Sequence, residues 1–342
     1  MGVAITELVP TTTISIDDLK GKTLAVDGYN TLYQFLTTIR GPDGSPLSDS
    51  NGNITSHLTG LFSRTTNLLA KGIKLIFVFD GKVPELKRAE LDRRRALKEE
   101  ASEKFEQAKE QQDVDAMKKY AGRTARLTRD MVAQAKELLD ALGVPWIDAP
   151  SEGEAQASAL VKQGHAWAVV SQDADALLYE APRVIKNLAI SGKRKQPGKI
   201  SYNTIEPELI EHKVVLQELG IDNHQLRALA LLIGTDYNIG GVRGIGPKKG
   251  LKLVQEHDHD FAGLFSSINW NEHCSHDWQS IIDVFEHMPV VDPGTVQFGK
   301  PDPVKVKAVL CDKYEFGVER VEAALEKLKN TATAQRGLGD FF

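Results

Sequence analysis

The chain has little cysteine: Cys274 and Cys311 are its two thiols among 342 residues. They cannot build a disulfide framework, and they suit a reducing compartment. Long apolar runs are missing too. No stretch approaches the roughly 18 consecutive apolar residues that a membrane span requires. The opening MGVAITELVP lacks the basic start and apolar stretch of a secretory signal. The expectation is an intracellular, soluble protein without a membrane anchor. Positive charge is not in excess either: 42 Lys and Arg face 47 Asp and Glu, a formal net charge of −5. Taken alone, that balance argues against a nucleic-acid binder, whose domains are usually basic. A whole-chain sum says nothing about individual faces, however. What is present is 41% hydrophobic residues, enough to bury a core and to argue against global disorder. The length suits one large domain or two medium ones.

Short apolar runs rich in Val, Ile and Phe occupy 22–28, 73–81 and 165–175, and a fourth candidate strand lies at 183–190. The first three stop at an aspartate, and helical patterns separate them. This is the grammar of an α/β fold: a central, mostly parallel mixed sheet with helices on both faces. Ligands of such sheets sit beyond the carboxyl ends of the strands. Residues 41–53 read as a loop or hairpin tip between two helices. Residues 82–130 carry 14 Lys or Arg and 11 Asp or Glu with few large apolar residues. That pattern is helical but supplies little core: either a solvated hairpin or a charged excursion over the adjacent strand end. An amphipathic helix is expected at 131–142. Another should open at SEGEAQASALV, with Ser151 as cap and Glu154 as capping-box partner. A helical pair is expected within 224–260, a long loop at 289–303, terminal helices at 304–329 and a small-residue tail after them.

Seven carboxylates stand out by position. Asp27, Asp80 and Asp173 end strands, Glu152 and Glu154 flank the first turn of a helix, Asp175 follows Asp173 by two, and Asp236 sits in a glycine-punctuated turn. Singly, each reads as a turn or helix cap. Together they would repel one another and raise their own pKa values unless cations intervened. Oxygen-only donors suit Mg²⁺ or Mn²⁺, and no His/Cys cluster suggests structural zinc. Two such ions about 4 Å apart are a known arrangement for phosphodiester hydrolysis. With the seven set aside, 42 basic residues face 40 acidic ones.

Five blocks now stand in order: VDGYNTLYQFL (26–36), FVFDGKVPELK (77–87), APSEGEAQA (149–157), VVSQDADALL (169–178) and LLIGTDYNIGGVRGIGPKKG (231–250). Together they resemble the flap endonuclease family of structure-specific 5′ nucleases, over nearly the whole chain. The resemblance implies a single nuclease domain at 1–330, with an N-terminal motif (1–100), a helical arch (82–130), an internal motif (140–255) and a helix–two-turn–helix region (224–260). It implies 5′ flap endonuclease and 5′–3′ exonuclease activity with two Mg²⁺ ions, Mn²⁺ as a substitute, in Okazaki-fragment processing and DNA repair. Asp27, Asp80, Glu152 and Glu154 would lie nearer one cation, and Asp173, Asp175 and Asp236 nearer the other. Lys87 and Arg94 would contact the scissile phosphate, Tyr33 would stack on the neighbouring base, and Gly2 would lie close to DNA. Seven residues apart on a helix, Lys87 and Arg94 share one face. Arg93 and Arg95 flank that face, either steadying the 5′ strand or serving as surface charge. The 41–64 region resembles a wedge and 3′-flap pocket, with Thr55 and Arg64 as candidate contacts.

In GVRGIGPKKG, Gly244 and Gly246 permit a tight turn of amides against phosphate, Pro247 opens a helix, and Lys248 and Lys249 add charge. The resemblance adds a monovalent cation such as K⁺ at this element. Arg194 belongs to an acid-free basic stretch at 183–200. Phosphate contacts of this kind position a duplex without reading its sequence, so recognition of branched or nicked DNA with a 5′ flap should be structure-specific. The tail QRGLGDFF resembles a box that binds sliding clamps of the proliferating-cell nuclear antigen type, through Gln335, Leu338, Phe341 and Phe342. A monomeric nuclease is expected, cytoplasmic in an archaeon or nuclear in a eukaryote. The rival readings are a repair 5′ exonuclease, a non-catalytic DNA-binding scaffold and a hard-metal phosphatase.

Overall fold

The computed structural model describes residues 5–41, 44–111, 113, 116, 120, 122–188, 192–195 and 202–339. Strands β1 (Thr12–Thr13), β2 (Thr23–Asp27), β3 (Lys74–Phe79), β4 (Trp146–Asp148), β5 (Ala168–Val170), β6 (Arg183–Lys186) and β9 (Glu208–Glu211) form one sheet in the order β1-β9-β6-β5-β2-β3-β4. Its five central and right-hand strands run parallel, while β9 is antiparallel to both β6 and β1. A separate hairpin pairs β7 (Gly192–Lys195) with β8 (Tyr202–Ile205). The mixed, mostly parallel sheet of the sequence reading is thus present, and of the basic 183–200 stretch Arg183–Lys186 form β6 and Gly192–Lys195 form β7.

Helices α1 (Gly28–Thr38), α2 (Ser56–Ala70), α3 (Arg88–Glu110), α4 (Arg129–Leu142), α5 (Gly153–Lys162), α6 (His212–Leu219) and α7 (Asn223–Ile233) interleave with the strands. Then come α8 (Pro247–His257), α9 (Phe261–Ser267), α10 (Trp278–Glu286), α11 (Pro303–Lys307) and α12 (Val318–Gly339). The strands bury both faces by alternation, as a period of two demands. Ala25, Ile76, Val78 and Val169 join a core with α5, α6 and α7. Leu24, Val26, Leu75, Phe77 and Val170 join a second core with α1, α2, α4 and α12. Burial of each large aliphatic side chain contributes about 1.5–3 kcal/mol, so this two-sided sheet carries much of the folding stability.

The boundaries differ from expectation in two places. The terminal helix does not stop near 329: α12 continues to Gly339, through the start of the clamp-like tail. The capping box at Ser151 does not form. Glu152 is the N-cap residue of α5 and makes no side-chain cap bond, and the Ser151 hydroxyl donates to the Lys82 carbonyl at 2.8 Å. Glu154 is directed elsewhere, as described below.

The end of β3 is stitched to the chain entering α5. Ala149 N donates to Phe79 O at 2.8 Å and Gly81 N to Ser151 O at 2.7 Å. The backbones approach so closely at Gly81 that a Cβ there would lie 2.0 Å from the Ala149 carbonyl oxygen. Gly81→Ala is therefore expected to lower unfolding free energy by about 1–3 kcal/mol, read as a lower urea midpoint at unchanged slope. An unchanged midpoint would show that the two segments can part without cost.

Candidate active site

The sheet order β5-β2-β3 brings the carboxyl ends of three neighbouring strands together, and the acidic residues follow from that. Asp27 closes β2 and caps α1, accepting from the Asn30 amide at 2.9 Å. The Asn30 side-chain amide donates to Asp173 at 2.9 Å, tying the β2 end to the loop after β5. Asp80 follows β3 and accepts from the Gly153 amide, the first residue of α5, at 2.7 Å. A Cβ at Gly153 would come within 2.6 Å of the same Asp80 oxygen, so a larger residue there would push that carboxylate aside. Glu154 accepts from the Ser171 hydroxyl at 2.9 Å, and that hydroxyl accepts from the Asp173 amide at 3.2 Å. Asp175 opens a short 3₁₀ turn, Asp175–Leu177.

Asp236 arrives from the far side, in the turn after α7. Asn238 builds that turn, accepting from the Thr235 amide at 3.1 Å and hydroxyl at 2.7 Å and donating to Leu231 O at 2.6 Å. Gly234, at φ +115°, lets the chain leave the helix there. Lys87 ends a 3₁₀ turn, Glu85–Lys87, at the base of α3. Its ammonium lies 2.5 Å from Glu152 and 3.1 Å from Asp236. Arg94 reaches the other Asp236 oxygen at 2.6 Å. The expectation that Lys87 and Arg94 share a face is met: both point at one carboxylate.

Charge is the dominant feature of the site. Burial, followed by the neighbouring negative charge of Asp80, pushes Asp27 well above the usual carboxylate range. Burial, then Asp175, Asp27 and Asp173, does the same to Glu154. Loss of hydration also raises Asp80, whose residue is otherwise exposed, and the half-buried Glu152, with Lys87 working in the opposite direction. Lys87 is itself half-buried, which disfavours its charge, yet Glu152 and Asp236 outweigh that and raise its pKa. Among the described residues no ion pair involves Asp27, Asp80 or Glu154. As the side chains stand, no three His, Cys, Asp or Glu among the described residues are arranged to hold a metal ion. The donor set nevertheless fits hard divalent cations: it is all carboxylate oxygen, with Asp27 buried, Glu152, Glu154, Asp173, Asp175 and Asp236 half-buried and Asp80 exposed, and it is short of positive charge.

The other predicted residues spread around this centre. Tyr33, on α1, is half-buried, and the Lys98 ammonium lies 4.9 Å from its ring centroid. Arg93 is bound through two nitrogens to Glu90 at 2.7 and 2.8 Å, while Arg95 is exposed, 4.0 Å from Asp92. Thr55, at the start of α2, is buried, with its amide on Leu47 O, and Arg64 of α2 is half-buried. Gly244 sits at φ +81° and Gly246 is the N-cap residue of α8; a Cβ at either would meet open space. Pro247 is at the first turn of α8, and Lys248 and Lys249 are exposed beside it. Gly2, Phe341 and Phe342 lie outside the described residues, as do the side chains of Arg194, Gln335 and Leu338.

Sequence reasoning missed Asn30, Ser171 and Glu90. Asn30 had a signal, the Asp-x-x-Asn spacing that follows a strand into a helix. Glu90 had one too, its i,i+3 and i,i+4 spacing to Arg93 and Arg94 on a helix, whereas Ser171 had none, because its partner Glu154 lies 17 residues away.

Comparison with known proteins agrees with this geometry. The XPG N-terminal domain matches residues 3–101 and the XPG I-region matches residues 143–236. Flap endonuclease 1 of Hyperthermus butylicus is 50% identical over 332 residues, 96% of this chain and 94% of the relative. The structure of flap endonuclease-1 from Methanococcus jannaschii superposes with a TM-score of 0.76 at 41% identity, covering 98% of this chain and 100% of that one. The catalytic core of Rad2 in complex with DNA substrate shares the fold at 24% identity, with a TM-score of 0.68 over 96% of this chain and 100% of that one. The chain therefore belongs to the flap endonuclease family and is a hydrolytic, structure-specific 5′ nuclease of DNA metabolism.

Proposed function

We propose that the chain hydrolyses a phosphodiester near the base of 5′ flaps, as endonuclease and 5′–3′ exonuclease, in Okazaki-fragment processing and DNA repair. Membership of the family implies divalent-metal catalysis. The finer reading is two Mg²⁺, with Mn²⁺ as a substitute. Asp27, Asp80, Glu152 and Glu154 would hold one ion, and Asp173, Asp175 and Asp236 the other. When bound, such ions lower the pKa of a water and stabilise the leaving oxygen. The observation that carries this reading is the crowding of carboxylates at adjacent strand ends, with Lys87 and Arg94 reaching in from the base of α3.

The chain's own residues have distinct tasks. Lys87 and Arg94 serve as counter-ions to Glu152 and Asp236 in the metal-free state; Lys87 leaves Glu152 as metal enters, and both turn to the scissile phosphate when substrate arrives. Cationic donors in a dry site stabilise charge that develops during reaction. The Tyr33 face receives the adjacent base in place of Lys98. The amides at Gly244 and Gly246, with Lys248, Lys249 and a monovalent cation such as K⁺, hold the phosphates of one duplex arm. Thr55 and Arg64 lie toward the 3′-flap side. Arg93, Arg95, Arg194 and Gly2 add backbone contacts. The 5′ flap passes through or under the 82–130 arch, and cleavage leaves a 5′ phosphate suited to ligation. That Rad2 was solved with DNA substrate and human GEN1 with Holliday junction DNA is in keeping with a DNA-binding role. The tail, through Gln335, Leu338, Phe341 and Phe342, is read as binding a sliding clamp.

The direct assay compares 5′-flap, nicked and single-stranded DNA with and without Mg²⁺. The flap substrate should be cleaved fastest, and only with metal; equal rates on all three would contradict structure specificity. In single-turnover experiments Lys87→Ala should lose about 100-fold or more in rate with little change in duplex affinity. A wild-type rate would remove Lys87 from the chemistry. For the tail, the double variant Phe341→Ala/Phe342→Ala should lose clamp binding, and clamp stimulation with it, while clamp-free flap cleavage is retained. Undiminished clamp binding would overturn that assignment.

A further inference from the structure

Glu90 is anomalous on its helix. Helix α3 is otherwise a charged surface element, and its other buried residues are Ala101 and Ala108. Glu90 is 2% exposed, yet it is a carboxylate in the first turn of that helix. A buried carboxylate is costly unless it is paired and hydrogen-bonded. Here the pairing is double. Arg93 donates through Nε at 2.7 Å to one carboxylate oxygen and through a terminal nitrogen at 2.8 Å to the other. Arg94 donates through Nε at 2.6 Å to the second of these oxygens. Two guanidiniums on consecutive residues would otherwise repel and splay apart.

The division of the Arg94 donors is the informative detail. Its Nε edge belongs to Glu90, and its terminal Nη2 faces the cleft, 2.6 Å from Asp236. The partner toward the helix is buried and comes from the same helix, four residues earlier. The partner toward the cleft belongs to another element and is one of the seven clustered acids. Glu90 can therefore keep hold of the guanidinium while the cleft-side nitrogen changes partner. A planar fork fixed along one edge has few orientations left, which lowers the cost of aligning it with an incoming phosphate.

We propose that Glu90 is a positioning residue for the reaction: it anchors the Nε edge of Arg94, so that the terminal nitrogens stay aimed at the scissile phosphate when Asp236 lets go. This rests on Arg94 contacting that phosphate. A role merely at the helix start, through the helix dipole, would alter stability without altering the rate of a folded enzyme.

The test is a double-mutant cycle in the full-length enzyme with Glu90→Ala, Arg94→Ala and the pair, on 5′-flap DNA with Mg²⁺ under single-turnover conditions. Flap affinity is measured separately in Ca²⁺, and thermal midpoints are recorded for each variant. Glu90→Ala should slow cleavage by about 10- to 100-fold with affinity within about threefold of wild type, and it should add little to Arg94→Ala because the two act as a unit. Glu90→Gln keeps an acceptor oxygen for Nε and should recover part of the rate. It also carries the test if the alanine variant does not fold: a folded Glu90→Gln enzyme that outpaces Arg94→Ala but falls below wild type supports the role. Glu90 variants at the wild-type rate beside a slow Arg94→Ala would overturn the role of Glu90 alone. Fully multiplicative losses would also overturn it. Arg94→Ala at the wild-type rate would overturn this inference and the assignment of Arg94 together.

Discussion

Repulsion among crowded carboxylates is the constraint on which the rest of the structure depends. Burial first, then the charge of Asp80 and Asp173 for Asp27 and of Asp175, Asp27 and Asp173 for Glu154, raises their proton affinity, and no flexible loop would keep them together. A parallel sheet buried on both faces does. Adjacent strands β5, β2 and β3 deliver their carboxyl ends to one place, and α5 adds its first turn beside them. The interlocks are short and polar: Asn30 between Asp27 and Asp173, Ser171 between Glu154 and Asp173, and the Gly153 amide on Asp80. Each favours ionised carboxylate without neutralising it, so the site keeps a strong demand for cations.

Lys87 and Arg94 meet part of that demand from within the chain. They come from the base of α3 and touch acids on two other elements, Glu152 before α5 and Asp236 after α7. The same pair can offset carboxylates in one state and a phosphate in the next. On the proposed reading, the buried Glu90 anchors Arg94 on the helix side while it faces the cleft.

Much of this was legible in the sequence, for identifiable reasons. Two-sided burial made β2 and β3 continuous apolar runs ending at aspartate, so Asp27 and Asp80 could be placed at once. The short β1 and β4 left no comparable run. The β6–β9 pairing is antiparallel and depends on a distant partner, which local pattern does not encode. The spacing of Lys87 and Arg94 predicted a common face, whereas their shared target, Asp236, required tertiary structure. The capping box at Ser151 failed because the local rule competed with a long-range one: Ser171 draws Glu154 into the cluster and Lys82 O engages the serine. Net charge misled most, because the acids are concentrated at one site while the turn at 241–250 stays basic.

As proposed, the carboxylates form two divalent-cation sites whose internal counter-ion, Lys87, yields when metal enters. Anomalous scattering from crystals of the protein soaked in Mn²⁺ tests it most directly. The account predicts one Mn²⁺ among Asp27, Asp80, Glu152 and Glu154, a second among Asp173, Asp175 and Asp236, and Lys87 withdrawn from Glu152. Crystals with no Mn²⁺ at these carboxylates and the Lys87–Glu152 pair intact would contradict it.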